Sequence, residues 1–234
     1  MEIFLRTLSW ATDVGGKAAA ASVDKSQKPD SVWFVVIRCV MALLCAGFAR
    51  LFLWFTGDRF IGSVFGVGIV WLLRFWMAGS LEGGGAARAA RNIAGSRQLS
   101  QEGGALMAAV APLAYFLLCY RGNWFWLIPA WALAAAVAAT ACGEAFSRKS
   151  PAFAWIVAVA VSVLGCGFAS RLGWAGQSLF MLSLFSSVFA WLMPIVMEKF
   201  WPEERFESGR ERCSSMLAVA EVAVLVIGVL GLAI

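Results

Sequence analysis

Seven stretches of this 234-residue chain are long and apolar enough to cross a lipid bilayer. A membrane-spanning helix needs about 20 mostly apolar residues to cover a hydrocarbon core of about 30 Å. Because an open sheet cannot satisfy its backbone in lipid, the stretches are predicted to be helical. Hydrophobic residues form 61% of the chain, and because the apolar stretches use up most of its length, we expect no separate soluble domain within it. The predicted crossings are 32–56, 59–81, 103–119, 123–142, 152–171, 174–197 and 215–234.

The predicted fold class is therefore all-α, a polytopic membrane bundle of about seven transmembrane helices. Residues 32–234 are predicted to form one transmembrane helical domain. Residues 1–31 are mixed and weakly polar, and we expect them on the cytoplasmic surface. Two forms of this tail stay open, a disordered segment and a short interfacial helix seated by apolar side chains. Those side chains are Phe4, Leu5, Leu8 and Trp10.

Basic residues lie mainly on one side of the predicted membrane. Thirteen of the 19 basic residues fall in the tail and in the connections after the second, fourth and sixth crossings. The other predicted side carries three, Arg59, Arg121 and Arg171. Such asymmetry places the basic side in the cytoplasm. We therefore predict a cytoplasmic N-terminus and an external C-terminus in a bacterial cytoplasmic (inner) membrane. The thirteen are Arg6, Lys17, Lys25, Lys28, Arg88, Arg91, Arg97, Arg148, Lys149, Lys199, Arg205, Arg210 and Arg212.

Composition also limits the partners and cofactors. The net charge of +5 is dispersed over four segments, so we expect anionic membrane lipids as partners and exclude nucleic acid. The chain has no histidine, which excludes a histidine acid–base catalyst and removes the usual ligand of haem, zinc and copper. The six cysteines show no metal-ligand spacing and are expected to act as small apolar residues, with Cys213 in the last loop. No metal site is predicted, and the cofactor is unknown.

Ionisable residues inside a crossing are costly and are therefore functional candidates. Glu221, within the seventh crossing, is the clearest. It is predicted either to act as a ligand or proton site, or to pair with Arg38, Arg74 or a loop arginine. Arg38 and Arg50 lie near the ends of the first crossing and are expected to snorkel to the interfaces. Arg74 is about half a span from either face.

Two predicted cytoplasmic connections carry groups that can bind an anion. Flexible backbone donors beside two guanidinium groups are typical of a phosphate site. The pattern matches neither the dinucleotide-binding nor the Walker glycine motif. Two alternatives without a ligand stay open for the same residues. The segment after the second crossing can be a flexible connection between helices, and the segment before the seventh can be a solvated cluster of charged side chains. The candidate anion site comprises Gly83, Gly84, Gly85, Arg88, Arg91, Ser208 and Gly209.

Three segments share their order and spacing with a known family of membrane proteins. Ser31-Val32-Trp33-Phe34 leads into the first crossing, Gly79–Arg91 follows the second, and Ser208-Gly209-Arg210 precedes Glu221. In this layout the chain resembles the cobalamin synthase family, which joins adenosylcobinamide-GDP to a ribazole phosphate. The middle segment sits where that family carries a His-x-Asp-Gly-x-Ala-Asp-Thr-x-Asp-Gly signature. The resemblance spans nearly the whole chain and implies a helical membrane bundle.

The chain departs from that signature at the positions that matter for chemistry. The family's histidine falls on Leu81, and its aspartates fall on Gly83, Ala87 and Ala90; the aspartate of the later segment falls on Arg210. Those carboxylates are expected to hold Mg²⁺ against diphosphate, and an arginine repels a metal. The resemblance therefore implies a pseudoenzyme, a relative that kept the fold and lost the reaction. The family-like residues that remain are Gly84, Ala86, Gly209 and Glu221.

Three functions stay open. The leading prediction is a non-catalytic subunit or accessory of a larger membrane complex, with other membrane protein subunits as partners and no catalytic residue. The second is an active phosphoribosyl-nucleotide transferase of the cobalamin synthase type, which acts on an anionic nucleotide-linked substrate and uses Mg²⁺. The third is a small transporter or channel with Arg74 and Glu221 as gate or substrate residues. The catalytic candidates of the transferase are Glu82, Arg88, Arg91, Arg210 and Glu221.

Overall fold

Every regular element that the described residues form is a helix, which confirms the all-α prediction. The structure is a computed structural model that describes residues 2–12, 28–82, 97–147, 152–171, 177–200, 206 and 208–232. Single 3₁₀ turns at Trp124–Trp126 and Gly143–Ala145 flank the fifth helix. The helices are α1 (Glu2–Ala11), α2 (Ser31–Thr56), α3 (Arg59–Glu82), α4 (Arg97–Tyr120), α5 (Leu127–Ala141), α6 (Ala152–Arg171), α7 (Gln177–Phe200) and α8 (Gly209–Leu230).

Five helical stretches within the described residues are long and apolar enough to cross a membrane. In α4 the apolar part is shorter and covers Ala109–Tyr120. By the length and composition of these helices, the chain is a multi-pass membrane protein. The five stretches are Ser31–Thr56, Trp124–Ala141, Ala152–Ala169, Phe180–Lys199 and Gly209–Leu230.

Small residues join α2 and α3 into a tight hairpin. The turn between them uses Gly57, whose positive φ of 65° favours glycine. A Cβ atom on Gly62 would lie 2.9 Å from the Leu53 Cα, and one on Gly66 would lie 3.2 Å from the Ala49 Cα. The Gly62-x-x-x-Gly66 spacing therefore serves a close helix contact within the chain.

The helix α5 forms the centre of the bundle. The span Trp124–Ala141 is 89% buried, and α5 packs against α2, α6, α7 and α8. A helix that is apolar all round is suited to such a central position. Its alanines, from Ala130 to Ala139, let the surrounding helices approach closely. At its start, the Trp126 indole donates a hydrogen bond of 3.0 Å to the Val224 carbonyl of α8.

Aromatic contacts bring α1, the start of α2, the end of α5 and the start of α8 to one end of the bundle, here called the tail end. The Trp10 ring packs edge-on against Phe34 at 5.5 Å and Phe146 at 5.4 Å. Arg210 donates a hydrogen bond of 3.3 Å to the Trp10 carbonyl. The Gly57 turn and the start of α5 lie at the opposite end, here called the far end. Of the two forms of the tail left open by the sequence, residues 2–11 adopt the helix.

The start of α8 corrects the predicted last loop. The helix begins at Gly209 rather than at 215, so Cys213 is a buried helical residue and not a loop residue. The cause is a cap: the Ser208 side chain accepts a hydrogen bond of 3.2 Å from the Glu211 backbone. All six cysteines are buried free thiols, as expected of small apolar residues.

Candidate functional site

A buried ion pair joins α3 and α8 in the interior of the bundle. Both terminal nitrogens of Arg74 donate to the two carboxylate oxygens of Glu221, each at 2.7 Å. Glu221 is 1% exposed and Arg74 is 12% exposed. This fork-to-fork geometry is the strongest arrangement for an arginine and a carboxylate. Of the partners that the sequence left open for Glu221, the structure shows Arg74.

Tryptophan side chains surround the pair. The Trp131 indole of α5 donates a third hydrogen bond, of 3.0 Å, to Glu221 Oε1. The Arg74 guanidinium lies 5.2 Å from the centre of the Trp71 ring and 5.8 Å from that of Trp131. Aromatic faces attract cations at these distances, and more strongly where water is excluded. The carboxylate and guanidinium are therefore bound from several sides, and together they form the polar centre of the bundle.

Arg38 of α2 adds a second positive charge to this polar centre. Its guanidinium lies 4.7 Å from the centre of the Trp131 ring, and the residue is 0% exposed. Its charge interacts with those of both Glu221 and Arg74. The prediction that Arg38 snorkels to the interface is therefore wrong. The physical reason is that the Trp131 ring lies against the guanidinium and the negative charge of Glu221 attracts it, which replaces what the interface would otherwise supply. Arg50, by contrast, is exposed.

The polar centre lies at membrane depth. Glu221 follows Gly209, the first residue of α8, by twelve positions, or about 18 Å along the helix. Arg74 precedes Glu82, the last residue of α3, by eight positions, or about 12 Å. A hydrocarbon core is about 30 Å thick, so the pair sits well inside it.

The chemistry open to Glu221 follows from these contacts. Its two oxygens accept three hydrogen bonds, from Arg74 twice and from Trp131 once. A carboxylate has about four acceptor positions, so three of them are filled, and a metal or a substrate proton would have to approach Glu221 beside the positive charge of Arg74. Across the described residues, no group of three or more His, Cys, Asp or Glu side chains is placed to hold a metal ion.

The structure separates two of the predicted catalytic residues. Arg210 lies at the tail end, with its guanidinium 6.0 Å from the centre of the Trp10 ring. Glu221 is eleven positions further along α8, or about 16 Å. Glu82 is the last residue of α3. Gly83, Gly84, Gly85, Arg88 and Arg91 lie outside the described residues.

The described part of the predicted anion site has a structural role. The Ser208 hydroxyl caps α8, as described above, by accepting from the Glu211 backbone. A Cβ atom on Gly209 would lie 3.1 Å from the Ala145 Cβ, so Gly209 allows α8 to pack closely against the turn after α5. Arg212, which was predicted in a solvated cluster, is buried within α8.

Sequence reasoning missed Trp131 and Trp71 as members of the polar centre. Their signal was available: both tryptophans lie within apolar stretches, away from the interfaces where aromatic belts form. A buried indole carries an N–H group that needs an acceptor, which in lipid has to come from another helix.

Comparisons of the chain with protein-family models, with curated proteins and with solved structures found no match.

Proposed function

We propose that this protein is a non-catalytic subunit or accessory of a larger membrane complex. The observation that carries the proposal is that Arg74 and Trp131 of the same chain donate hydrogen bonds to both carboxylate oxygens of Glu221. Ionisable groups in a membrane bundle are functional by default when they face a cavity or a substrate path. Here the carboxylate faces its own chain, which is the arrangement expected of a structural element.

The proposed topology has seven crossings, with the tail end in the cytoplasm and the C-terminus outside. Two crossings are added to the five apolar stretches by α3 and α4, which have 24 residues each, or about 36 Å. Arg6, Arg210 and Lys199 lie at the tail end, and the asymmetry of basic residues supports a cytoplasmic position for it. The membrane we propose is the bacterial cytoplasmic membrane.

The resemblance to the cobalamin synthase family supports the same proposal. In that interpretation the chain descends from a membrane transferase and has lost the metal ligands at Leu81, Gly83, Ala87 and Ala90. The retained Glu221 is then bound to Arg74 instead of a metal. A pseudoenzyme of this kind contributes its fold to an assembly and does not perform the transfer reaction.

A small transporter is the second candidate, because Arg38, Arg74 and Glu221 place three ionisable groups inside the bundle. Such groups also mark proton and substrate paths. Solute or proton flux into proteoliposomes, abolished in a folded Glu221→Gln variant, would favour transport over the subunit role.

The subunit role is tested by purification of the tagged full-length chain in mild detergent and, separately, in polymer nanodiscs cut from the native membrane. We expect a second membrane protein at fixed stoichiometry, identified by mass spectrometry and retained after gentle cross-linking. A solitary chain in both preparations would refute the proposal. Turnover of adenosylcobinamide-GDP with ribazole phosphate by the purified protein would refute it in favour of the transferase.

Topology is tested with single introduced cysteines and a membrane-impermeant maleimide. Arg121→Cys, at the far end, is expected to react in intact spheroplasts, whereas Lys199→Cys is expected to react only after permeabilisation. Both positions are exposed, and the native cysteines are buried, so the background is low. The reverse pattern of labelling would overturn the proposed orientation.

A further inference from the structure

A long apolar groove runs along the outer surface between α6 and α7. These two helices supply the most exposed of the five apolar stretches; 28% of Ala152–Ala169 and 39% of Phe180–Lys199 is buried. One hollow of about 880 Å³ lies nearer the tail end, and a second of about 820 Å³ lies nearer the far end. Val163 and Leu164 line both hollows, so the two form one continuous groove.

The groove has the dimensions of a hydrocarbon chain in a bilayer. It extends from Trp155 to Arg171 along α6, sixteen positions or about 24 Å. One leaflet contributes about half of a 30 Å core, so the groove is long enough for the acyl chain of one lipid. Gly167 lines the second hollow, where a Cβ atom would lie 3.5 Å from the Phe180 ring, so the absent side chain keeps this part of the groove open.

The far end of the groove carries a positive charge. Arg171 lies in the last turn of α6, lines the second hollow and is exposed. No hydrogen bond or ion pair of Arg171 occurs within the part of the chain that the structure describes. A guanidinium group binds phosphate oxygens through two parallel hydrogen bonds. The groove thus combines an apolar wall with one cationic group at the end of a membrane-spanning helix.

We propose that this groove binds one anionic phospholipid from the leaflet at the far end, with the phosphate on Arg171 and an acyl chain between α6 and α7. The charge selects an anionic headgroup, and the apolar wall accepts the chain. A zwitterionic lipid would fill the wall equally well and offers the same phosphate, but its ammonium group offsets the negative charge that Arg171 attracts. This site is independent of the proposed subunit role, because Glu221, Arg74 and Trp131 of the polar centre do not line the groove.

The test measures binding of phosphatidylglycerol and of phosphatidylcholine with identical acyl chains to the purified full-length chain, by native mass spectrometry from a neutral detergent. We expect about tenfold tighter binding of phosphatidylglycerol, because its headgroup carries no cation that offsets the attraction between the phosphate and Arg171. Arg171→Gln is expected to remove this preference. Arg121→Gln is the matched control, because Arg121 is exposed at the same end but lines neither hollow.

A second pair of variants tests the acyl-chain part of the groove. Gly167→Leu is expected to weaken both lipids several-fold, since its side chain fills the groove. Gly165→Leu, on the same helix with open space around its Cβ position, is expected to bind both lipids as the wild type does. Leu164→Trp fills both hollows from their shared wall and provides a second variant if Gly167→Leu fails to fold.

Three outcomes would overturn the proposal. The first is equal binding of the two lipids by the wild-type chain. The second is an equal loss of preference in Arg171→Gln and Arg121→Gln. The third is a homodimer that is dissociated by Gly167→Leu and not by Gly165→Leu, which would make the groove an interface between two copies of the chain.

Discussion

Replacing Glu221 by glutamine tests whether the polar centre stabilises the bundle. The change keeps the size of the side chain and an oxygen that can accept from Trp131, but removes the negative charge that faces Arg74 and Arg38. Two buried arginine charges then face each other without the carboxylate. Removal of one partner from a buried ion pair typically costs about 3–5 kcal/mol.

The geometry gives a similar magnitude. Oxygens 2.7 Å from the arginine nitrogens place the two charge centres about 4 Å apart, which corresponds to about 4 kcal/mol at an effective dielectric constant of about 20. Arg74→Gln is expected to cost less than Glu221→Gln, because Glu221 keeps the Trp131 hydrogen bond and the charge of Arg38. The double variant is expected to cost less than the sum of the single changes, with a coupling of about 2–3 kcal/mol.

The assay is reversible unfolding in mixed micelles with increasing sodium dodecyl sulfate, followed by circular dichroism. The three variants and the wild-type chain give a double-mutant cycle in one detergent system. The reasoning is refuted if Glu221→Gln unfolds within about 1 kcal/mol of the wild type, or if the two single changes add without coupling.

Three further changes test the packing and capping of the helices. Gly66→Leu is expected to cost about 1–3 kcal/mol by forcing α3 away from Ala49. Gly68→Leu, with open space around its Cβ position, is the control and should melt near the wild-type temperature. Equal melting temperatures of the two variants would contradict the close contact. Ser208→Ala removes the cap of α8 and should cost about 1 kcal/mol in the same unfolding assay, with Ser208→Thr largely preserving stability. Trp126→Phe removes the indole hydrogen bond to the Val224 carbonyl and part of a fully buried ring, and should cost about 1–3 kcal/mol. Stability equal to that of the wild type would refute a contribution from this contact.

The helices could be predicted from the sequence because lipid leaves the backbone few alternatives. The predicted segment 152–171 matches α6, and 32–56 differs from α2 by one residue. The start of α8 differs from the prediction because residues 209–214 are polar, and low hydropathy predicts a loop. The pattern Ser208-Gly209-Arg210-Glu211 has the spacing of a capping box and was the available signal for a helix that begins earlier.

The polar centre could be predicted only in part. Glu221 and Arg74 were recognised as costly inside lipid, but they are 147 residues apart, and Arg38 was an equally acceptable partner by sequence. The choice depends on how α2, α3 and α8 are arranged around α5, which the composition of each helix does not specify. In the structure, the position of Trp131 on α5 determines the choice of partner, since this indole contacts the carboxylate and both guanidinium groups.

The free energy needed to separate Glu221 from Arg74 also bears on the function. A transferase or metal-dependent enzyme needs an acid that leaves its resting partner when substrate or metal arrives. Releasing Glu221 would leave Arg38 and Arg74 facing each other among buried aromatic rings, at a cost comparable to that of Glu221→Gln. Mg²⁺ would enter this centre against the positive charges of Arg38 and Arg74. This cost is the reason that we propose a structural role for the polar centre and a binding role for the groove between α6 and α7 on the outer surface.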